Sequence, residues 1–252
     1  GQGASGRAAD MAELLDIRDA SKSFGGLKAV DGVSFTVSEG QIFGVAGSNG
    51  SGKSTLFNII TGIPFGPTSG SIRFGGTAIE GWAPHRIARA GLARTFQLDA
   101  EFPDLTPRET VTLGARYAGG MAGSAAPEAV ERALDQVEFD ADRREMETSA
   151  LSVYQKKQLM IASALVAGPR ILMLDEPASG LTRPEIAALD ALLVGINKAG
   201  VTILLIEHVL SLLLSVSHRL LVLNQGQVLA ERDPQDVIRD DAVIEAYLGE
   251  RR

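Results

Sequence analysis

The chain reads as an α/β fold, a parallel sheet with helices and an antiparallel β-layer ahead of it. Three observations predict this. An apolar run, Gln41-Ile42-Phe43-Gly44-Val45-Ala46, enters the glycine-rich stretch from Gly47 to Thr55, after which Leu56, Ile59 and Ile60 recur at helical spacing. Farther on, Ile171-Leu172-Met173-Leu174 and Val201 to Ile206 are apolar runs without polar alternation, the pattern of strands buried on both faces. Helical patterns separate these runs, and strands alternating with helices imply an α/β sheet.

Taken in order, Gly1 to Asp10 is small and polar, lacks the apolar segment of a secretory signal, and reads as a tag remnant or linker before Met11. Residues 11–252 read as one domain. Leu14–Asp19 and Val33–Val37 alternate as strands and should pair antiparallel, joined through Ser23-Phe24-Gly25-Gly26 and Asp31-Gly32. Ser71–Phe74 extends that layer. From Pro84 to about Leu165 the pattern is mostly helical, so a helical lobe at about 88–165 is expected as an insertion in a core of 11–87 and 166–252. In it, Thr106-Pro107-Arg108-Glu109 forms a capping box with proline at the first helical position, and Ala115–Pro127 reads as a mobile connector. Thr182–Glu185 is a second capping box, with Ile186, Leu189, Leu192, Leu193 and Ile196 on one helical face. Arg219–Leu223 and Gln227–Glu231 flank the hairpin signal Asn224-Gln225-Gly226, and Asp236–Leu248 reads as a closing amphipathic helix.

Composition sets bounds. A chain of 252 residues buries roughly 70–75% of its unfolded surface and needs no staples. The absence of cysteine removes disulfides, thiolate catalysis and cysteine-based zinc sites. A net charge of −7 argues against wide nucleic-acid contact, which needs a basic face. No apolar run approaches the roughly 18–20 residues that span a bilayer.

The chemistry centres on Gly47-Ser48-Asn49-Gly50-Ser51-Gly52-Lys53-Ser54-Thr55, which fits the phosphate-binding pattern G-x-x-x-x-G-K-[ST]. Glycines let successive backbone N–H groups face inward as an anion-binding nest. A helix starting near Lys53 adds its unpaired N–H groups and the positive end of its dipole. Lys53 is placed for the β/γ-phosphates and the Ser54 hydroxyl for Mg²⁺. Strand, loop and helix follow in the required order, which points to a bound nucleoside triphosphate. Asp175-Glu176 ends an apolar strand, and ligands of open α/β sheets bind beyond the strands' carboxyl ends. Asp175 there can hold Mg²⁺, and Glu176 can activate a water.

With these motifs the chain resembles the nucleotide-binding subunits of ATP-binding cassette (ABC) transporters, from about Ile17 to the C-terminus. The resemblance implies a P-loop NTPase core of ABC type with an antiparallel β subdomain and an inserted α-helical subdomain. It places Phe24 as the aromatic that stacks on adenine. Gln97, in Arg94-Thr95-Phe96-Gln97, matches the loop glutamine that touches Mg²⁺ and the attacking water. His208, after Leu204-Leu205-Ile206-Glu207, matches the switch histidine against the γ-phosphate, while His85 and His218 read as structural. Ser152 matches the signature serine. The signature itself departs from Leu-Ser-Gly-Gly-Gln, reading Leu151-Ser152-Val153-Tyr154-Gln155, and Thr182 stands where Asp is common. In the family's head-to-tail dimer each ATP lies between one subunit's phosphate loop and the other's signature. Val153 and Tyr154 therefore weaken the partner's site, and a heterodimer with unequal sites is expected, with a homodimer as the alternative.

Within the family, Phe24-Gly25-Gly26-Leu27-Lys28-Ala29-Val30, Gly91–Gln97, Ile206-Glu207-His208 and Asn224-Gln225-Gly226-Gln227 with Ala246–Glu250 resemble the ATPase subunits of branched-chain amino acid importers. This implies ATP and Mg²⁺ as cofactors, integral permease subunits and a second ABC ATPase subunit as partners, and a periplasmic binding protein indirectly. It also implies a peripheral position on the cytoplasmic face of the inner or plasma membrane. Urea, amide and aromatic-acid importers share much of the pattern. Outside transport, the alternatives are an ABC ATPase acting on nucleic acid or ribosomes, against which the acidic balance counts, and a nucleotide-gated scaffold with vestigial hydrolysis.

Overall fold

The computed structural model describes residues 12–95, 102–117, 120, 125–237, 239–240 and 243. Alternating apolar residues fold the first stretch into a long hairpin, β1 (Glu13–Phe24) and β2 (Leu27–Ser38), with Phe24 opposite Leu27. Both strands outrun the segments expected from alternation. Asp31-Gly32 is not a connector but part of β2, beside a register shift between Ala20 and Lys22. The bulge breaks the period-2 pattern there, so a continuous strand read as two pieces.

β3 (Ile42–Gly47) then leads through the glycine loop into α1 (Lys53–Thr61). β4 (Ser69–Phe74) and β5 (Thr77–Ala78) complete the antiparallel sheet in the order β2-β1-β4-β5. After α2 (Pro84–Arg89) comes β6 (Leu92–Arg94), which pairs parallel with β7 (Ile171–Asp175). A strand this short carries no periodicity of its own and is defined by a distant partner, so it was hidden in a region read as helical.

Between β6 and β7 lie α3 (Pro107–Tyr117), α4 (Ala125–Gln136) and α5 (Val153–Leu165). The capping box at α3 is present: Thr106 N–H donates to Glu109 Oε2 at 2.9 Å, and Glu109 N–H to Thr106 Oγ1 at 3.2 Å. Part of the expected connector is helix, since α3 extends to Tyr117 and α4 starts at Ala125.

The remainder is α6 (Arg183–Lys198), β8 (Thr202–Ile206), α7 (Leu210–Val216), β9 (Arg219–Asn224), β10 (Gln227–Arg232) and α8 (Pro234–Val237). Glu185 caps α6 by accepting from both the backbone N–H and the hydroxyl of Thr182, at 2.8 and 2.7 Å. The 1–10 linker and most of the closing helix expected over Asp236–Leu248, with the Ala246–Glu250 motif, lie outside the described residues.

The second sheet has the order β10-β9-β3-β8-β7-β6, with β10 antiparallel to β9 and the other pairings parallel. Successive residues of its central strands enter different cores. Leu172, Leu174, Ile203 and Leu205 pack with the helices α3 to α6, while Ile171, Met173, Leu204 and Ile206 pack with the antiparallel sheet and α1. Burial on both faces explains the unbroken apolar runs and fixes the register. Val45 and Asp175 both lie opposite Ile206, so the carboxyl ends of β3, β7 and β8 finish at one edge.

Candidate nucleotide site

That shared edge carries the glycine loop. Gly52 caps α1 at φ 106°, and a Cβ there would lie 2.4 Å from the carbonyl oxygen of Ala29. Gly47 has φ 155°, and its Cβ would lie 2.4 Å from Ser51 Oγ, inside the turn of the loop. Both places accept only hydrogen. The loop is braced from outside as well. Gly226 N–H, at the β9–β10 turn, donates to Ser51 O at 2.9 Å, and Asp31 N–H donates to Gly226 O at 2.8 Å.

The Lys53 side chain is buried beneath the loop, and its Nζ donates to Gly47 O at 2.7 Å and Ser48 O at 2.8 Å. The first turn of α1 contains no acidic residue to oppose an anion, and Ser54 is exposed there. Asn49 and Gly50 are also exposed, and Thr55 is half-buried. Backbone N–H groups, a helix N-terminus and a cation thus converge, the chemistry of a polyphosphate site.

Asp175 ends β7 as expected and is buried. Its Oδ2 accepts from Arg94 Nη2 at 2.8 Å, while Oδ1 is buried without a hydrogen-bond partner. Arg94 also donates to Asn58 Oδ1 of α1 at 2.8 Å. An orphaned carboxylate oxygen and an exposed hydroxyl at the loop's helix fit a Mg²⁺ ion held partly by phosphate and water. Among the described residues no group of three or more His, Cys, Asp or Glu could hold a metal by itself.

Glu176 is a non-glycine residue at φ 49°, a conformation costing of order 1–3 kcal/mol that persists where surroundings impose it. Its N–H is held by Ile206 O at 2.9 Å. Glu176 Oε2 lies 3.8 Å from Nδ1 of His208, which is half exposed at the end of β8. Between the two loops sits Glu207, fully buried, whose carboxyl is pushed above the usual range by burial, against the pull of surrounding N–H groups and His208.

Phe24 is 45% exposed and packs edge-on against Phe65, leaving ring surface open near the hairpin that touches the loop through Ala29. Ser152 lies elsewhere, at the N-terminus of α5. Its Oγ accepts from Gln155 N–H at 3.2 Å and its own N–H donates to Gln155 Oε1 at 3.0 Å, a capping box not anticipated from the sequence. Tyr154 turns inward onto the core, and burial raises its phenol pKa. Val153 instead is 48% exposed, with its Cγ1 beside Gly180. Gln97 lies outside the described residues.

Sequence reasoning brought Lys53, Ser54, Asp175, Glu176 and His208 to one sheet edge, and the structure places them there. It missed Arg94 and Glu207 as contributors. No local signal marked them, because each acts on residues brought near by parallel strand pairing.

Comparisons agree with this geometry. A model of the ABC transporter family matches residues 30–179. The chain is similar to the high-affinity branched-chain amino acid transport ATP-binding protein BraF of Pseudomonas aeruginosa, 38% identical over 94% of this chain and 98% of that protein. It is 37% identical to LivG of Salmonella typhimurium, a protein of the same description, over the same shares. Among solved structures, an ATP-binding cassette of an ABC transporter in its ADP conformation superposes with a TM-score of 0.86 at 29% identity, over 94% of this chain and 99% of the other.

Proposed function

The chain belongs to the ABC transporter family, and from that premise we propose that it binds and hydrolyses ATP to power a membrane permease that imports branched-chain amino acids. The observation that carries this is the single sheet edge on which the glycine loop, buried Lys53, Asp175, Glu176 and His208 meet. The names of BraF and LivG support the substrate class.

In this reading the loop N–H groups from Ser48 to Thr55 and the α1 terminus bind the phosphates, and Lys53 links the loop carbonyls to the β/γ-phosphates. Phe24 stacks on adenine, a contact worth about 1–3 kcal/mol. Ser54, Asp175 and Gln97 would hold Mg²⁺, which when bound neutralises phosphate charge. Glu176 accepts a proton from water as its oxygen bonds to the γ-phosphorus and the bond to the ADP oxygen breaks. His208 steadies the γ-phosphate.

We infer integral permease subunits as membrane partners, with this subunit working from the cytoplasmic face, a reading supported by the transport ATP-binding proteins the chain is similar to. No helix among the described residues is long and apolar enough to cross a membrane. A second cassette completes the site. Ser152 serves the partner's ATP, where exposed Val153 replaces the small residue that lets the nucleotide approach, so we infer a heterodimer with unequal sites. Equal hydrolysis at both sites of the assembled complex would sink that inference.

Light scattering on Glu176→Gln with saturating Mg·ATP tests the dimer. A monomer that binds ATP supports a required second subunit, and a stable nucleotide-dependent homodimer contradicts it. In vesicles with its permease, ATP turnover should rise with a leucine-loaded binding protein. A response to urea in place of leucine would reassign the substrate.

A further inference from the structure

We infer that Glu207, to which the reaction above gives no part, is a positioning residue that locks the Glu176 loop and the His208 loop into one arrangement. The inference rests on the ATPase reading of Glu176 and His208.

Glu207 follows β8 with its side chain wholly buried. One carboxylate oxygen, Oε1, accepts the N–H of Ala178 at 2.6 Å, in the loop that leaves Glu176. The other, Oε2, accepts the N–H of His208 at 3.2 Å and of Val209 at 3.4 Å. Its own N–H donates to Val45 O at 3.3 Å, on the strand that enters the phosphate loop. One residue thus ties together the carboxyl ends of β3, β7 and β8, where the phosphate cradle, the base and the switch histidine begin.

The chemistry specifies a carboxylate. Donors face both oxygens, so an amide of the same shape must turn its NH₂ toward either Ala178 N–H or the His208 and Val209 N–H pair. Two donors then oppose each other, and one loop is released. Asp keeps the charge but is a methylene too short to reach both loops. Burying an ionisable group costs stability, and groups retained despite that cost cluster at functional sites. Glu176 needs such an anchor because its φ of 49° is imposed from outside.

The test compares ATP turnover and nucleotide affinity of the wild-type chain, assembled with its permease, with those of Glu207→Gln, Glu207→Asp and Glu176→Gln. Loosened loops predict a kcat lowered about tenfold or more in both Glu207 variants, with KM for ATP held within about twofold. Turnover within about twofold of wild type in both variants overturns the proposal. So does a kcat loss matched by lost ATP affinity and a lowered melting temperature, which marks simple structural support. If Glu207→Gln does not fold, Glu207→Asp decides by the same criteria. Glu176→Gln reports separately: normal turnover there removes Glu176 from the role of base, the reading on which this inference rests.

Discussion

Arg94 Nη2 donates to Asp175 Oδ2 at 2.8 Å, with both side chains almost fully buried. The pair joins the edge strand β6 to the carboxylate at the end of β7, and Arg94 reaches α1 through Asn58. The ion pair holds one carboxylate oxygen in place, and the other is buried without a hydrogen-bond partner.

Removing one partner of a buried pair strands the other charge. Arg94→Ala should therefore lower stability by about 3–5 kcal/mol, read from urea unfolding. A loss under about 1 kcal/mol would mean that Asp175 is solvated or paired elsewhere.

Gly52→Ala should damage the loop by geometry. The new methyl would meet the Ala29 carbonyl at 2.4 Å with φ at 106°. We expect a loss of about 1–3 kcal/mol together with weakened nucleotide binding, measured by calorimetry on the folded variant. Wild-type affinity would show that β2 yields without moving the loop.

Lys53→Ala removes the cation bonded to Gly47 O and Ser48 O. ATP affinity should fall about tenfold or more, roughly 1.4 kcal/mol, as charge-assisted bonds to phosphate are lost. Titration with a fluorescent nucleotide analogue checks it, and unchanged affinity would place the phosphates elsewhere.

Glu207 gives stability a definite pH dependence. Its folded pKa is raised by burial, so its favourable contribution is complete below the ordinary carboxylate value of about 4.3 and is lost as pH rises through the folded value. Glu207→Gln lacks this titration. The stability of the variant relative to wild type should therefore increase as pH rises from about 4.3 through the folded value, seen in paired melting curves. A constant difference across that window would mean that folded and unfolded states titrate alike.

The sequence made the phosphate loop legible because its chemistry is local: glycines, lysine and hydroxyl must be adjacent to wrap one phosphate chain. Asp175 and Glu176 could be read from the strand before them. Arg94 and Glu207 could not be assigned, since each acts on residues brought near only by parallel pairing, which leaves no trace in local spacing. β6 was missed for the same reason, and the Asp31-Gly32 bulge hid the length of β2. Tyr154 shows a further limit. Its departure from glycine was visible, but only packing reveals that it turns into the core while Val153 meets the surface.

Whether Glu176 activates water on a bound ATP is read from ATP binding and hydrolysis by wild-type and Glu176→Gln chains assembled with their permease. Wild-type turnover, falling about 10²–10⁴-fold in the variant at unchanged ATP affinity, is the predicted result. Near-normal hydrolysis by Glu176→Gln would contradict it.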